Sequence, residues 1–199
     1  MKNTVVYIHG QNGSPEEAKH YAGVFADCDV IGFDYTSEYP WDAKAEFSEY
    51  FNSIFNECGR VTLVANSIGA FFAMNALSSR QVEKAYFISP VVNMEKLITD
   101  MMSWAGVTEA ELQEKGVIDT DFGQQLSWEY LSYVRQHPIA WDVPTHILYG
   151  SRDGLSSMQT VSDFAAQTSA TLTVMEGGEH WFHTDEQMTF LDDWLKANK

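Results

Sequence analysis

Cysteine is nearly absent. Only Cys28 and Cys58 occur in 199 residues; they stand too far apart for a CxxC redox or zinc motif, and two alone make no disulfide framework. Both are expected to be buried free thiols, because cysteine is among the most buried residue types. Basic residues are scarce as well, with 12 Lys and Arg against 28 Asp and Glu and a formal net charge of −16. A field of that sign repels phosphate backbones and anionic headgroups, so no nucleic acid and no membrane is expected as a partner. No apolar run approaches the roughly 20 residues of a membrane span. The opening "MKNTVVYIHG" runs directly into a strand and a glycine loop, without the long apolar stretch and cleavage site of a secretory leader. The expected location is cytoplasmic.

What the chain does have is alternation. Apolar, β-branched and aromatic runs recur at 4–9, 30–34, 61–65, 85–89, 146–150 and 171–175, and they read as continuous runs rather than strict alternations. That is the pattern of strands buried on both faces of a parallel sheet. Helical patterns lie between them, clearest where Phe47, Tyr50, Phe51, Ile54, Phe55 and Cys58 fall on one stripe. "SPEE" places Ser14 as an N-cap, Pro15 in the first turn and Glu17 as its capping-box partner, and "TDEQ" at 184–187 repeats the box. Strand and helix in alternation predict a doubly wound, mostly parallel six-stranded α/β sheet with helices on both faces. At 199 residues and 45% hydrophobic content, a single domain is expected. About 91–142 carries no strand signal but two or three helical patterns, with Met94, Leu97, Ile98, Met101 and Met102 at helical spacing. Too long for an ordinary crossover, it is expected to be an inserted helical cap.

The stretch "VTLVANSIGAFFAM" at 61–74 puts Ser67 at the corner between a strand and a helix. A side chain on so tight a turn is thrust outward, and the helix behind it offers unpaired N–H groups and a positive dipole end to any negative charge developing there. Ala65, Gly69 and Ala70 keep the corner free of bulk. "ANSIG" resembles the G-x-S-x-G nucleophile elbow of the α/β-hydrolase superfamily, with alanine in place of the first glycine.

That resemblance, to a small serine hydrolase of the superfamily, covers nearly the whole chain. It implies the order Ser, then Asp or Glu, then His. "YGSRDGL" after the fifth strand offers Asp153, and "MEGGEHWFH" after the sixth offers His180. All three expected catalytic residues, Ser67, Asp153 and His180, then leave C-terminal strand ends, the edge where open α/β sheets bind ligands. Asp142 and His183 are the nearest rivals, but one precedes its strand and the other enters the last helix; His20, His137 and His146 are read as structural. Likeness to the family's His-Gly loop makes "YIHGQNGS" the oxyanion loop, with the N–H groups of Ile68 and Gln11 as donors, Asn12 as an alternative to Gln11, and His9 bracing the loop. The two antiparallel strands that open many relatives are missing, and "FDYTSEYPW" lacks the usual glycines after the second strand. Cys28 and Cys58 precede strands, at the opposite edge from the serine.

The implied activity is hydrolysis of a small carboxylic ester or thioester through an acyl-serine intermediate, with no metal and no organic cofactor. Met101, Met102 and Trp104 are candidate contacts for an apolar acyl or aryl group. Asn66 before the serine also resembles the elbow of relatives that hydrolyse carbon–carbon bonds, and a binding protein that keeps the fold without turnover is the other alternative.

Overall fold

The apolar runs of the inner strands can be buried on both faces only if helices lie above and below them, and the chain supplies those helices. The structure is a computed structural model and describes residues 3–58, 60–79 and 81–199. Its strands and helices divide into two compact units, Met1–Val92 with Ala140–Lys199, and Asn93–Ile139.

In the larger unit, β1 (Asn3–Ile8) leads through a 3-10 turn at Pro15–Glu17 to the short α1 (Ala18–Tyr21) and then β2 (Cys28–Phe33). There follow α2 (Pro40–Cys58), β3 (Val61–Asn66), α3 (Ile68–Ala76) and β4 (Val82–Ile88). The smaller unit comes next in the chain, with α4 (Met94–Ala105), α5 (Glu109–Lys115), β5 (Val117–Asp119), β6 (Gln125–Ser127) and α6 (Trp128–Gln136). The larger unit closes with β7 (Thr145–Gly150), α7 (Met158–Thr168), β8 (Thr171–Met175) and α8 (Asp185–Asn198).

The sheet order is β2-β1-β3-β4-β7-β8, and every neighbouring pair is parallel. All six expected strands are in it. Because β1 connects outward to β2 on one side while β3 connects to β4 on the other, the order reverses between β1 and β3, a switch point of the kind at which open α/β sheets bind ligands. One face of the sheet buries Val5, Tyr7, Val64, Tyr86 and Leu148 against Tyr21 of α1 and Leu191, Trp194 and Leu195 of α8. By alternation, Val6, Ile8, Leu63 and Ala65 turn the other way. There Phe33 packs on Phe47 of α2 at 4.8 Å between ring centroids, and Phe47 packs on Phe72 of α3 at 6.2 Å. Phe47 and Phe51 are completely buried, worth about 1.5–3 kcal/mol each in transfer free energy.

Several sequence expectations are corrected. The Ser14 capping box is not made: Ser14 stands at the N-cap without a side-chain bond, and Glu17 accepts a hydrogen bond from the Tyr7 hydroxyl instead. At the last helix the box is made, Thr184 and Gln187 capping each other's backbone. Both cysteines are free but half-buried rather than buried, and Cys58 donates to the Ile54 carbonyl at 3.0 Å. The helical stripe at 47–58 is real but starts earlier, at Pro40.

The 93–139 unit is not purely helical. β5 and β6 pair antiparallel, Val117 with Ser127 and Asp119 with Gln125. Two strands of three residues are too short to produce a periodic signal; their turn is held by Thr120, whose hydroxyl donates to the Gln124 carbonyl at 2.5 Å, and by Gly123 at φ 80°. α5 carries a complete capping box between Thr108 and Glu111. Arg135 on α6 joins Glu95 on α4 and Glu109 on α5 at 2.7 Å each; bonding to Arg135 holds the Glu109 carboxyl below its ordinary range.

Candidate active site

β3 ends at Asn66 and α3 starts at Ile68, so one residue makes the whole corner. Ser67 does so with φ 50° and ψ −120°, a left-handed conformation that costs a non-glycine residue about 1–3 kcal/mol and persists only where surrounding contacts fix it. Here they do. Ser67 N–H donates to the Ile88 carbonyl at 3.0 Å, while its own carbonyl accepts from Ala70 N–H at 3.2 Å and Val91 N–H at 3.1 Å. The 88–91 segment that grips the serine on both sides itself turns through Ser89 at φ 45°. Ser89 is buried at 1% exposure, and its N–H reaches the Leu148 carbonyl at 2.8 Å, tying the elbow to β7.

Close approach explains the small residues. A Cβ on Gly69 would stand 2.4 Å from the His9 carbonyl oxygen and 2.9 Å from the Ile8 side chain, so α3 can sit directly over the end of β1 only because position 69 has no side chain. The loops after β7 and β8 meet the same way. A Cβ on Gly150 would lie 2.5 Å from the Gly178 backbone, and Arg152 N–H donates to the Gly178 carbonyl at 2.8 Å.

That crossing brings Asp153 and His180 together. The Asp153 side chain is fully buried and its Oδ2 lies 2.7 Å from His180 Nδ1. Oδ1 accepts from the N–H groups of Leu155 at 2.8 Å and Ser156 at 3.1 Å, which leaves this carboxylate no rotational freedom. His180 Nε2 stands 2.9 Å from Ser67 Oγ. With Nδ1–H donated to the carboxylate, Nε2 presents its lone pair to the serine hydroxyl, the arrangement that lets an imidazole accept a proton from an alcohol. The imidazole is only about a fifth exposed, at 21%.

The loop after β1 packs beside this chain of groups. His9 is buried at 8% exposure, stacks on Tyr35 at 4.2 Å, and its carbonyl accepts from the Tyr35 hydroxyl at 2.9 Å. The ring braces the loop. Burial, with the Glu46 carboxylate adding to it, pushes the Tyr35 phenol above its ordinary range, so it stays a donor. A Cβ on Gly10 would approach Ser67 Cβ to 3.2 Å. Gln11 and Asn12 form the exposed turn that follows, Asn12 at φ 61°.

The rival residues are engaged elsewhere. Asp142 accepts from Ser79 Oγ at 2.8 Å. His183 stacks on Trp181 at 4.4 Å, His20 meets Asp192 at 2.7 Å, His137 stacks on Tyr133 at 4.1 Å, and His146 Nδ1 meets Thr171 Oγ1 at 2.6 Å. Met101, Met102 and Trp104 lie on α4 of the 93–139 unit: Met102 is 5% exposed, Met101 half-buried, and Trp104 53% exposed with its ring edge-on to Phe122 at 6.2 Å. Among the described residues no group of three His, Cys, Asp or Glu side chains could hold a metal ion, and no helix is long and apolar enough to cross a membrane.

Sequence patterns did not single out Ser89 or the Tyr7–Glu17 pair. The one available signal was Tyr7 itself, a hydroxyl in an otherwise apolar strand.

The family model described as "Uncharacterised protein family (UPF0227)" matches residues 4–189. The chain belongs to that family. No curated protein matches this UPF0227 chain. Solved structures do. Est1E from Butyrivibrio proteoclasticus matches with a TM-score of 0.74 at 14% identity, over 98% of this chain and 86% of that one. The mouse alpha/beta hydrolase domain-containing protein 10 matches with a TM-score of 0.70 at 17% identity, over 99% and 89%. A thioesterase domain from the curacin biosynthetic pathway matches with a TM-score of 0.59 at 15% identity, over 98% and 91%. At these identities the likeness is one of fold, and the fold is that of the α/β hydrolases.

Proposed function

We propose that the protein is a serine hydrolase that cleaves a small carboxylic ester or thioester through an acyl-serine intermediate. The observation that carries this reading is the unbroken chain from Ser67 Oγ to His180 Nε2 at 2.9 Å and from His180 Nδ1 to Asp153 Oδ2 at 2.7 Å. The names of the fold neighbours, an Est1E and a thioesterase domain, agree with it.

In the proposed mechanism Ser67 Oγ attacks the substrate carbonyl carbon while His180 Nε2 takes its proton. Asp153 holds the imidazole in the tautomer that can do so and stabilises the imidazolium. The oxyanion forms against the N–H groups of Ile68, at the start of α3, and Gln11. Losing one such donor typically slows acyl transfer about 100- to 1,000-fold. His180 returns the proton to the leaving alcohol or thiol as its bond to the carbonyl carbon breaks; water, deprotonated by His180, then attacks the carbonyl of acyl-Ser67, and His180 passes the proton to Ser67 Oγ as the C–Oγ bond breaks and the acid leaves. The sequence calls for no metal and no organic cofactor. An apolar acyl or aryl group is the proposed substrate feature, with Met101, Met102 and Trp104 as candidate contacts, and the cytoplasm is the proposed location.

A fluorophosphonate probe tests the assignment. The protein should take up one label and Ser67→Ala should abolish it, with turnover of short-chain nitrophenyl esters lost in parallel. A folded wild-type protein that takes no label and turns over no ester overturns the reading, and loss of activity on chelation counts against it.

A further inference from the structure

Tyr7 is completely buried in β1, yet its hydroxyl connects two segments that the proposed chemistry requires to stay in register. It donates to the Glu17 carboxylate and accepts from Asn66 Nδ2 at 3.3 Å. Asn66 is the last residue of β3, immediately before the nucleophile. Glu17 ends the turn that follows the loop at 9–14, and its carboxylate lies under that loop: a Cβ on Gly13 would stand 3.2 Å from Glu17 Oε1 and 2.9 Å from His9 Cβ.

The turn is seated firmly. Gly32, the residue paired with Tyr7 in the adjacent strand, has no side chain, and the Pro15 carbonyl oxygen occupies the space, 2.0 Å from where a Cβ would be. Tyr21 stacks on Tyr7 at 4.9 Å, and the two side chains also share a hydrogen bond. Burial, then Tyr21 and the Glu17 carboxylate, push the Tyr7 phenol well above its ordinary range, so the hydroxyl keeps its proton and bonds as a neutral donor. An interior hydroxyl bonded on both sides is costly to leave half-paired.

We propose that Tyr7, held by Glu17, is a positioning residue: one buried phenol fixes the elbow, through Asn66, at a set distance from the oxyanion loop, through Glu17 beneath Gly13. This rests on the serine-hydrolase reading above. Tyr7 touches no substrate. It acts by keeping the N–H of Ile68 and the 10–14 loop spaced for a tetrahedral oxyanion rather than for the flat ester that precedes it, so its loss is felt at the transition state.

Tyr7→Phe removes the hydroxyl and nothing else. On a short-chain nitrophenyl ester, kcat is expected to fall about tenfold with KM within about twofold, and affinity for an alkyl boronic acid, which adds to the serine as a tetrahedral anion, to weaken by the same factor as kcat. Glu17→Ala should reproduce the loss and Glu17→Gln, which keeps an acceptor for the phenol, should recover most of it. A merely structural residue would lower thermal stability without this split between kcat and KM and without the parallel loss of boronate affinity. Should Tyr7→Phe fail to fold, Asn66→Ala cuts only the elbow end, and the same tenfold loss in kcat at constant KM supports the relay. If wild type is labelled by the fluorophosphonate but the folded variants keep kcat within twofold, or lose KM and kcat together, the relay is wrong and the serine assignment stands. If wild type takes no label and turns over no ester, both fall.

Discussion

Replacing Asp153 with asparagine is the most demanding test of the proposed site, because the change is nearly isosteric and the structure dictates how the new amide must point. Oδ1 of Asp153 accepts two backbone N–H groups, from Leu155 and Ser156, while Oδ2 accepts from His180 Nδ1. An amide that kept its oxygen toward His180 would aim its NH2 at those two N–H groups, donor against donor, and break both bonds. The opposite orientation preserves both backbone bonds, so it is the one expected. The amide NH2 then faces His180 Nδ1, which must accept, and the ring proton moves to Nε2. There it points at Ser67 Oγ across 2.9 Å, and the lone pair that should take the serine proton is gone. In serine proteases the corresponding change lowers kcat about 10,000-fold, equivalent to roughly 5.5 kcal/mol of barrier at 1.36 kcal/mol per decade. A loss of 1,000- to 10,000-fold is expected here on the same grounds. Stopped ester hydrolysis measures it, and slow but complete fluorophosphonate labelling should persist because the nucleophile remains. A melting temperature within a few degrees of wild type shows that the Leu155 and Ser156 bonds survive. A folded variant that keeps more than a tenth of wild-type kcat refutes the tautomer argument and with it the role of Asp153.

Three further outcomes follow from the same geometry. Ser67→Gly should be more stable than Ser67→Ala by about 1 kcal/mol in urea denaturation, since only glycine adopts φ 50° without strain; equal stability would mean that the corner stores none. Gly69→Ala drives a methyl to 2.4 Å from the His9 carbonyl, and overpacking against backbone of about 1–3 kcal/mol should lower the melting temperature by about 2–12 °C in a chain of this size; an unshifted melting curve would contradict the close approach of α3 to β1. His146 is pushed below its ordinary imidazole range by burial and then by Lys84, so the unfolded chain takes up a proton that the folded one refuses. Its contribution to stability is therefore present above the unfolded value of about 6.5 and is lost as pH falls through the lower folded value. Melting temperatures of wild type and His146→Gln between pH 7.5 and 5 should show a shallower acid decline in the variant; parallel curves would exclude the histidine as a source.

How much of this could be read from the sequence depends on the range over which each feature is encoded. Runs of apolar and β-branched residues announce themselves locally, so all six strands were legible, including β2 and β8 at the half-exposed edges of the sheet. The elbow was legible for the same reason: a corner made by one residue forces small neighbours, and Ala65, Gly69 and Ala70 are visible within six positions. Asp153 and His180 were placed by resemblance, and their loops contain the glycines that the crossing at Gly150 and Gly178 requires. The short hairpin at 117–127 was not legible, because three-residue strands fall below any periodic window and their pairing is decided by the Thr120 and Gly123 turn.

The capping box at Ser14 failed for a more instructive reason. Its pattern is local and correct, yet Glu17 has a partner that no local pattern reveals: a phenol ten residues earlier, brought beneath the turn by β1. A capping bond at an exposed helix start is worth about 1 kcal/mol, whereas a buried phenol without an acceptor costs about 1–3 kcal/mol. The interior demand wins the carboxylate, and the helix opens as a 3-10 turn without a side-chain cap. A strong local signal overridden by a buried polar group therefore marks a place where tertiary structure claims the residue for another use, and here that place lies between the elbow and the loop proposed to receive the oxyanion.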